Sequence, residues 1–354
     1  MSGSSLDGLD LAVCSFSLTR RAATPITDWS IEAATTVPYS EDWKARLRQS
    51  ATLSGQATWQ LHADLGTYVG TQGARFLRQH PEHPVSLVGC HGHTVYHEPA
   101  SGFSVQLGDG ARIAATLGLP VVTELRTADI AAGGQGAPLA PVADVHLFPD
   151  HTAYLNLGGI ANFSLRTPTG NLLAGDVTGC CQILDRLAAL TGQPYDAGGA
   201  LARRGTYHPQ LASALDALAY HRQPYPKSLS NQWVTAQLWP LLQQHTAPAH
   251  DRLHTFTTWL ARKIIRDIDQ LGGAAGGSIL VSGGGARNDY LIERLREAIG
   301  TRGTLTVAEG LVGDFKEAAL IALCALFRQQ GLPNSLAAAT GARHDTVNGA
   351  LHAA

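Results

Sequence analysis

Three turns in the sequence set glycine beside hydroxyl or amide side chains and next to apolar runs: Ser2-Gly3-Ser4-Ser5-Leu6-Asp7-Gly8, Gly158-Gly159-Ile160-Ala161-Asn162 and Gly283-Gly284-Gly285-Ala286-Arg287-Asn288. Glycine lets backbone approach a ligand closely, and consecutive N–H groups or a helix N-terminus then form a nest for an anion, phosphate above all. One such turn is a weak signal, because glycine clusters also mark ordinary hairpins. The chain has no GxxxxGK[ST], which excludes a P-loop enzyme, and no GxGxxG after an early strand, as a dinucleotide site would need. Other polar residues stand where apolar runs end, the position at which α/β sheets hold ligands. His91, Gly92 and His93 follow Val85–Gly89, Arg126 and Asp129 follow Pro120–Thr123, and Glu317 opens the apolar stretch Ala318–Phe327.

The elements that must carry these residues alternate strand, loop and helix, the grammar of an α/β protein. Leu9–Phe16 reads as a strand followed by a Thr-rich partner, and leucine spacing predicts helix from about Glu41 to Arg78. Val85–Gly89, Phe103–Leu107 and Pro120–Thr123 read as strands, with a helix over Ala111–Leu117. Ala153–Leu157 runs into a glycine turn and a second strand. The stretch from Ile183 to Leu271 is helical by pattern with a break near Pro224–Ser230, and Ser278–Val281 precedes a helix from about Asp289 to Ala298. The loop Ala132–Pro138 breaks both helix and sheet and is the expected domain boundary. The expected division is residues 1–137 with 336–354 as the first domain and 138–335 as the second.

Composition narrows the function classes. A chain of 354 residues with 44% hydrophobic and 15% charged residues is globular and long enough for about two domains. With 26 Lys+Arg against 28 Asp+Glu it has no basic field for nucleic acid, so a small neutral or weakly anionic ligand is expected. Cys14, Cys90, Cys180, Cys181 and Cys324 are scattered, without CxxC or zinc spacing, a pattern that fits a reducing compartment. The longest apolar stretch is far short of the ~20 residues that cross a bilayer, and no export signal opens the chain; a cytoplasmic location away from membranes is expected. The oligomeric state stays open, a homodimer included.

The order of the three turns resembles that of the hexokinase, Hsp70 and actin superfamily, in which two hairpin phosphate loops and a late adenosine loop close on ATP. The resemblance narrows with MSGSSLDGLD, HGHTVYHEP, QLGDGARIA, RTADIAAGGQGAPLAP, LNLGGIANFS, PKS, SGGGARN and TGA, which are similar to the motif series of the anhydro-N-acetylmuramic acid kinase family in the same order. It implies a two-domain α/β fold of the actin-like ATPase (ribonuclease H-like) type with an interdomain active-site cleft. It also implies a reaction: ATP and water convert 1,6-anhydro-N-acetylmuramic acid to N-acetylmuramic acid 6-phosphate in cell-wall recycling, with ATP and Mg²⁺ as cofactors and an amino sugar as the small-molecule partner.

Residue by residue, the resemblance implies that Asp176 is the catalytic base. The family's Asp-Thr-Gly-Pro-Gly-Asn reads Asp176-Val177-Thr178-Gly179-Cys180-Cys181 here; the local reading of Asp176 is a cap for the helix near Gln182. Gly3, Ser4, Ser5, Leu6, Asp7, Gly8, Leu9 and Asp10 match the first ATP loop, with Ser4 in place of Thr. Asp7 and Asp10 have the carboxylates that Mg²⁺ takes through water beside phosphate oxygens, and Asx turns account for them equally. Gly158, Gly159 and Asn162 fall in the second phosphate loop, and Gly283, Gly284, Gly285 and Asn288 at adenine and ribose. His91, Gly92, His93, Arg126, Asp129 and Glu317 fall at the sugar, with His93 where Gln is usual and Arg126 suited to the lactyl carboxylate. An exposed Arg–Asp pair and a plain helix-dipole acid are the bland readings of Arg126–Asp129 and Glu317. The changes at Asp176–Cys181 and His93 keep two alternatives in view, a sugar kinase with a shifted substrate and a degenerate, non-catalytic ligand-binding homologue. Relatives carry a strand before the first motif and Met1 is the sole Met, so a start upstream of Met1 is expected.

Overall fold

In a computed structural model of the chain, residues 1–2, 6–19, 25–167, 172–273 and 276–354 are described. They divide into two compact α/β units, Met1–Phe148 with Phe315–Ala354, and Pro149–Asp314. Mixed α/β architecture in two units is the fold class that the sequence led us to expect.

In the first unit, β1 (Gly8–Leu18) and β2 (Ile26–Pro38) form an antiparallel pair. Strand β3 (Val88–Gly89) is followed by the antiparallel pair β4 (His93–Glu98) and β5 (Phe103–Leu107), and then by β6 (Val121–Thr123). Strands β3 and β6 run parallel, and the C-terminal strand Ala350–His352 pairs antiparallel on the far edge of β6. The pleat of β6 turns successive side chains to opposite faces. Val121 packs in a core with Leu65 and Ile113, whereas Val122 packs in another with Leu323 and Phe327.

The helical spacing over Glu41–Arg78 resolves into α1 (Glu41–Arg48) and α2 (Gly55–Gln79). Leu53 is extended and Ser54 then caps α2 by accepting from Ala57 N–H, as Ser40 caps α1 through Trp43 N–H; hydroxyl caps satisfy the first free amides of each helix. Helix α3 (Gly110–Leu117) lies so near α2 that a Cβ at Gly70 would fall 2.7 Å from Thr116 Cβ. Helices α4 (Thr127–Ala131) and α5 (Ala140–Leu147) follow β6.

The unit boundaries differ from the expected 137/138 and 335/336. Val142, Ala143 and Leu147 of α5 share one buried core with Leu320, Leu323 and Phe327 of the helix Gly310–Gln330. Trp29 adds a hydrogen bond to the Leu147 carbonyl at 2.9 Å and an edge contact with Phe148, so residues 138–148 and 315–335 belong to the first unit. The glycine-rich loop is stitched into that unit rather than dividing it, with Gln135 N–H donating to Thr340 O and Arg343 N–H to Ala132 O. Of the strand expected at Val85–Gly89, only Val88 and Gly89 pair.

The second unit is built on one sheet of β7 (Ala153–Leu157), β8 (Ile160–Arg166), β9 (Leu172–Gly179), β10 (Ser278–Ser282) and β11 (Thr304–Val307), in the spatial order β11-β10-β7-β8-β9. Only β8 runs against the others, so β7, β9 and β10 all end on one edge of the sheet. Helix α6 (Cys181–Ala189) and the helices Ala249–Gln270 and Asp289–Ile299 share a single apolar core with these strands.

An ion pair is buried beside that core. Lys263 and Asp267 of Ala249–Gln270 are 2% and 4% exposed, and Lys263 Nζ lies 2.8 and 2.6 Å from the two Asp267 oxygens. Tyr225 OH also donates to Asp267 Oδ2 at 2.7 Å. Removing one partner of a buried pair leaves an uncompensated charge. Asp267→Ala is therefore expected to lower unfolding stability by about 3–5 kcal/mol, measured by urea titration.

Candidate active site

The two later glycine turns stand side by side because their strands do. Ser282 of β10 is opposite Asn156 of β7, and a Cβ on Gly283 would fall 2.5 Å from Asn156 Oδ1 and 2.9 Å from the Leu157 carbonyl. Gly283 also has φ of 88°, a region that favours glycine, whereas Gly284 faces open space. Cys180 and Cys181 N–H donate to the Gly159 and Gly158 carbonyls at 2.7 and 3.0 Å, tying the first turn to the start of α6. Gln182 Nε2 donates to the same Gly159 oxygen at 3.0 Å. Cys180 is fully buried in the core, and the Cys181 thiol donates to Leu157 O. The two cysteines that replace the family's Gly-Asn thus act as packing residues around the turns. Asn288 caps the helix Asp289–Ile299, accepting from Leu291 N–H at 3.0 Å, so its oxygen already serves the fold.

Asp176 lies toward the same edge, near the end of β9 and opposite Asn162 of β8. It does not cap α6, whose N-cap is Cys180. Its carboxylate Oδ2 accepts from Leu229 N–H at 2.7 Å and contacts Ser228 Oγ at 3.5 Å. Its backbone is held as well, by Asp176 N–H on Lys227 O at 2.9 Å and by Tyr220 OH on Asp176 O at 2.8 Å. Both side-chain contacts fall on Oδ2, so Oδ1 is the oxygen left to take a proton. Burial raises the carboxyl above its ordinary value, with the Leu229 and Ser228 donors opposing that rise, and a more basic carboxylate is a better proton acceptor near neutral pH. Sequence reasoning quoted Pro226-Lys227-Ser228 as a motif without giving it a role; this loop is what grips Asp176.

In the first unit, parallel pairing sets the ends of β3 and β6 together, and His91 meets Arg126 there. Arg126 Nε and Nη2 lie 3.1 and 2.9 Å from His91 Nε2, and Nη1 donates to Gly136 O at 2.6 Å. His91 Nδ1 then donates to Gly92 O at 3.1 Å. Burial and the Arg126 charge push His91 down to about 4, so it is a neutral acceptor at physiological pH. Of the five N–H groups of a guanidinium, one on each terminal nitrogen remains for a carboxylate. Gly92 has φ of 72° and a Cβ there would fall 2.3 Å from Leu107 O; His93, next to it, is buried and its imidazole pushed down by that burial. Leu6 and Glu124, with φ of 59° and 57°, are non-glycine residues in left-handed backbone beside the first loop and Arg126, the kind of strain that clusters at functional sites.

Asp129 has a different position from the one expected. It is fully buried, and its carboxylate accepts from Gly136 N–H at 2.7 Å, Ser335 Oγ at 2.9 Å and Thr340 Oγ1 at 2.8 Å. It pins the loop whose Gly136 carbonyl holds Arg126. Glu317 is open to solvent yet crowded by protein, and its carboxyl is raised first by desolvation and then by Asp10. Asp10 accepts from Thr36 Oγ1 at 2.6 Å, and Asp7 is exposed. Gly3, Ser4 and Ser5 lie outside the described residues. Among the described residues, no group of three or more His, Cys, Asp or Glu is arranged to hold a metal by itself, and no helix is long and apolar enough to cross a membrane.

Similarity along the whole chain puts the protein in the class of phosphotransferases with an alcohol acceptor, the kinases. The chain belongs to the anhydro-N-acetylmuramic acid kinase family, whose profile matches residues 1–354. Proteins named anhydro-N-acetylmuramic acid kinase from Gloeobacter violaceus and Pasteurella multocida are each 33% identical to it, over 100% and 99% of this chain and 97% and 95% of theirs. The protein of that name from Vibrio cholerae is also 33% identical, over 97% of this chain and 94% of its own.

Asp129→Ala leaves the Gly136, Ser335 and Thr340 donors unsatisfied, and is expected to lower stability by on the order of 3 kcal/mol in urea titrations. For His91 the unfolded chain takes up its proton near 6.5 and the native protein at about 4. Stability from this group is complete above pH 6.5 and falls as pH drops toward 4, by up to roughly 3 kcal/mol. The His91→Gln variant should lose less stability across that window than the parent.

Proposed function

We propose that the protein hydrolytically opens the 1,6-anhydro ring of 1,6-anhydro-N-acetylmuramic acid and phosphorylates O6 with ATP, giving N-acetylmuramic acid 6-phosphate in the recycling of cell-wall sugar. The observation that carries this reading is Asp176, a carboxylate of raised basicity held through one oxygen near the glycine turns, in a chain that belongs to this family. Asp176 Oδ1 takes a proton from the water whose oxygen bonds to C1, and the C1–O6 bond breaks. O6 then bonds to the γ-phosphorus, ADP leaves, and the net yield is the sugar phosphate, ADP and one proton.

The backbone turns Gly158–Gly159 and Gly283–Gly285 suit phosphates and the nucleoside in this reading, and the loop Gly3–Asp10 is assigned to phosphate on its motif alone. Arg126 offers its two remaining N–H groups to the lactyl carboxylate, oriented by His91 and Gly136. Gly92 and His93 stand beside that pair and are assigned to the sugar with it. Asp10 and Glu317 are close enough for one to raise the other, an excess of negative charge that fits Mg²⁺ held by carboxylates, water and phosphate oxygens, with Asp7 nearby in sequence. Mg²⁺ bound there would neutralise charge on the transferring phosphoryl group. The five cysteines are all free, in keeping with a cytoplasmic enzyme.

Mixing the protein with Mg-ATP and 1,6-anhydro-N-acetylmuramic acid should yield a product heavier by one water and one phosphoryl group in mass spectrometry. Asp176→Asn should abolish turnover while ATP affinity stays nearly unchanged. A wild-type rate in that variant would remove Asp176 as the base, and an acid limb of kcat/KM should track its raised pKa.

A further inference from the structure

Within the second unit, a cleft of about 620 Å³ opens between residues 216–227 and the C-terminal half of the helix Ala249–Gln270, the size of a small-molecule site. It lies away from the glycine turns. Gly273, two residues beyond the cleft's Leu271, packs so near Leu165 that a Cβ would fall 3.1 Å from its Cδ2. Leu165 pairs with Ala153 at the start of β7, whereas the glycine turns follow the far ends of β7 and β10.

The charges that line the cleft do not balance. Lys263 pairs with Asp267 at 2.6 Å and Arg266 with Asp216 at 2.8 Å, so both of its carboxylates are already neutralised. His221 adds no charge, because burial pushes its imidazole down to about 4 while Nδ1 donates to Leu215 O and Nε2 accepts from Thr178 Oγ1. Arg222 and Lys227 remain, and among the described residues neither is ion-paired. Lys227 Nζ donates to Tyr220 O and Gln223 O, each at 3.2 Å, and sits 4.7 and 4.5 Å from the ring centroids of Tyr220 and Tyr225. Carbonyls and ring faces hold a cation without cancelling it. An ammonium has three N–H groups, so one is left over; Arg222 commits only its Nε, to Asp216 O at 3.4 Å, and keeps four. Desolvation, and then Lys263, push the Lys227 ammonium down to about 8, a cost that an anion in the cleft would offset.

We propose that this cleft is a second anion site, which holds a phosphate dianion, free or as the monoester of a small polar molecule, on Lys227 and Arg222. Two unpaired cations match the charge of a phosphate near neutral pH, and its three oxygens accept from the N–H groups left over. Gln223 and Gln270 also line the cleft and suit a polar remainder such as a sugar. The site bears on Asp176 through bonds already described. Lys227 O accepts from Asp176 N–H, and Tyr220, whose carbonyl Lys227 binds, donates its hydroxyl to Asp176 O. A ligand that fixes the Lys227 side chain stiffens the loop that holds Asp176, a route by which a phosphorylated metabolite regulates the enzyme. That consequence rests on Asp176 as the base; the binding does not.

The chain has only the lysines Lys44, Lys227, Lys263 and Lys316, so acetylation by acetic anhydride near neutral pH is readily followed at each by peptide mass. Inorganic phosphate and N-acetylglucosamine 6-phosphate, each compared with sodium chloride at equal ionic strength, should protect Lys227 and leave Lys44 unprotected. At about ten times the half-protecting concentration, the rate at Lys227 should fall roughly tenfold. Arg222→Gln should abolish the protection while turnover without added ligand stays unchanged, and Gln270→Glu, which sets a like charge in the cleft, should abolish it too. Protection by the ester at lower concentration than by phosphate identifies a monoester as the ligand, and the reverse order identifies the free ion. Hydrogen exchange at the Leu229 amide should slow with either ligand in the parent and not in Arg222→Gln; unchanged exchange would remove the link to Asp176. Equal protection by chloride, protection that survives both substitutions, or none at Lys227 would each overturn the site. The labelling is independent of the sugar reaction, so failure of the proposed activity would leave it unaltered.

Discussion

The hydrogen bond from Leu229 N–H to the Asp176 carboxylate is the constraint that fixes this side chain at the sheet edge of the second unit. A proton acceptor is effective only when its oxygen is held in place, and a hydrogen bond to a charged, part-buried carboxylate is worth about 1.5–3 kcal/mol. The amide is positioned from a distance. Tyr225 packs over Gly175, where a Cβ would fall 2.6 Å from its ring, and its hydroxyl is fixed by Asp267, which Lys263 neutralises. A buried ion pair in the helix Ala249–Gln270 is thereby connected through one aromatic ring and one loop to Asp176.

The first unit solves its electrostatic problem differently. Arg126 is a part-buried cation whose hydrogen-bond partners are a neutral imidazole and a carbonyl, with the Glu317 carboxylate acting on it electrostatically. The carboxylate nearby, Asp129, is fully occupied by Gly136, Ser335 and Thr340. Asp129 is committed to the loop whose Gly136 carbonyl accepts from Arg126.

Much of this was legible in the order of residues. Strands β1, β5, β7 and β10, helix α3 and the helix Asp289–Ile299 follow from period and caps, and the glycine turns stand where their flanking strands end. Long-range packing governed the remainder. Helix α5 carries no boundary signal of its own, yet its Val142 and Leu147 join the core of Leu323 and Phe327 and carry the unit boundary past the glycine-rich loop. That Asp129 pins a loop and Asn288 caps a helix is not legible in the sequence, because Asp and Asn serve pins and caps as readily as substrates.

By itself the sequence determined the family, the alternation of strands and helices, and the turns able to cradle an anion, because these depend on residue types at short spacing. Only the tertiary structure decided which oxygen of Asp176 is held and that Asp129 serves a loop. Those features join groups far apart in the chain, as Asp176 and Leu229 are by 53 residues and Asp129 and Thr340 by 211. No local propensity specifies such meetings; the packing of buried apolar faces does, and the polar groups carried on them take the partners that this packing brings within reach.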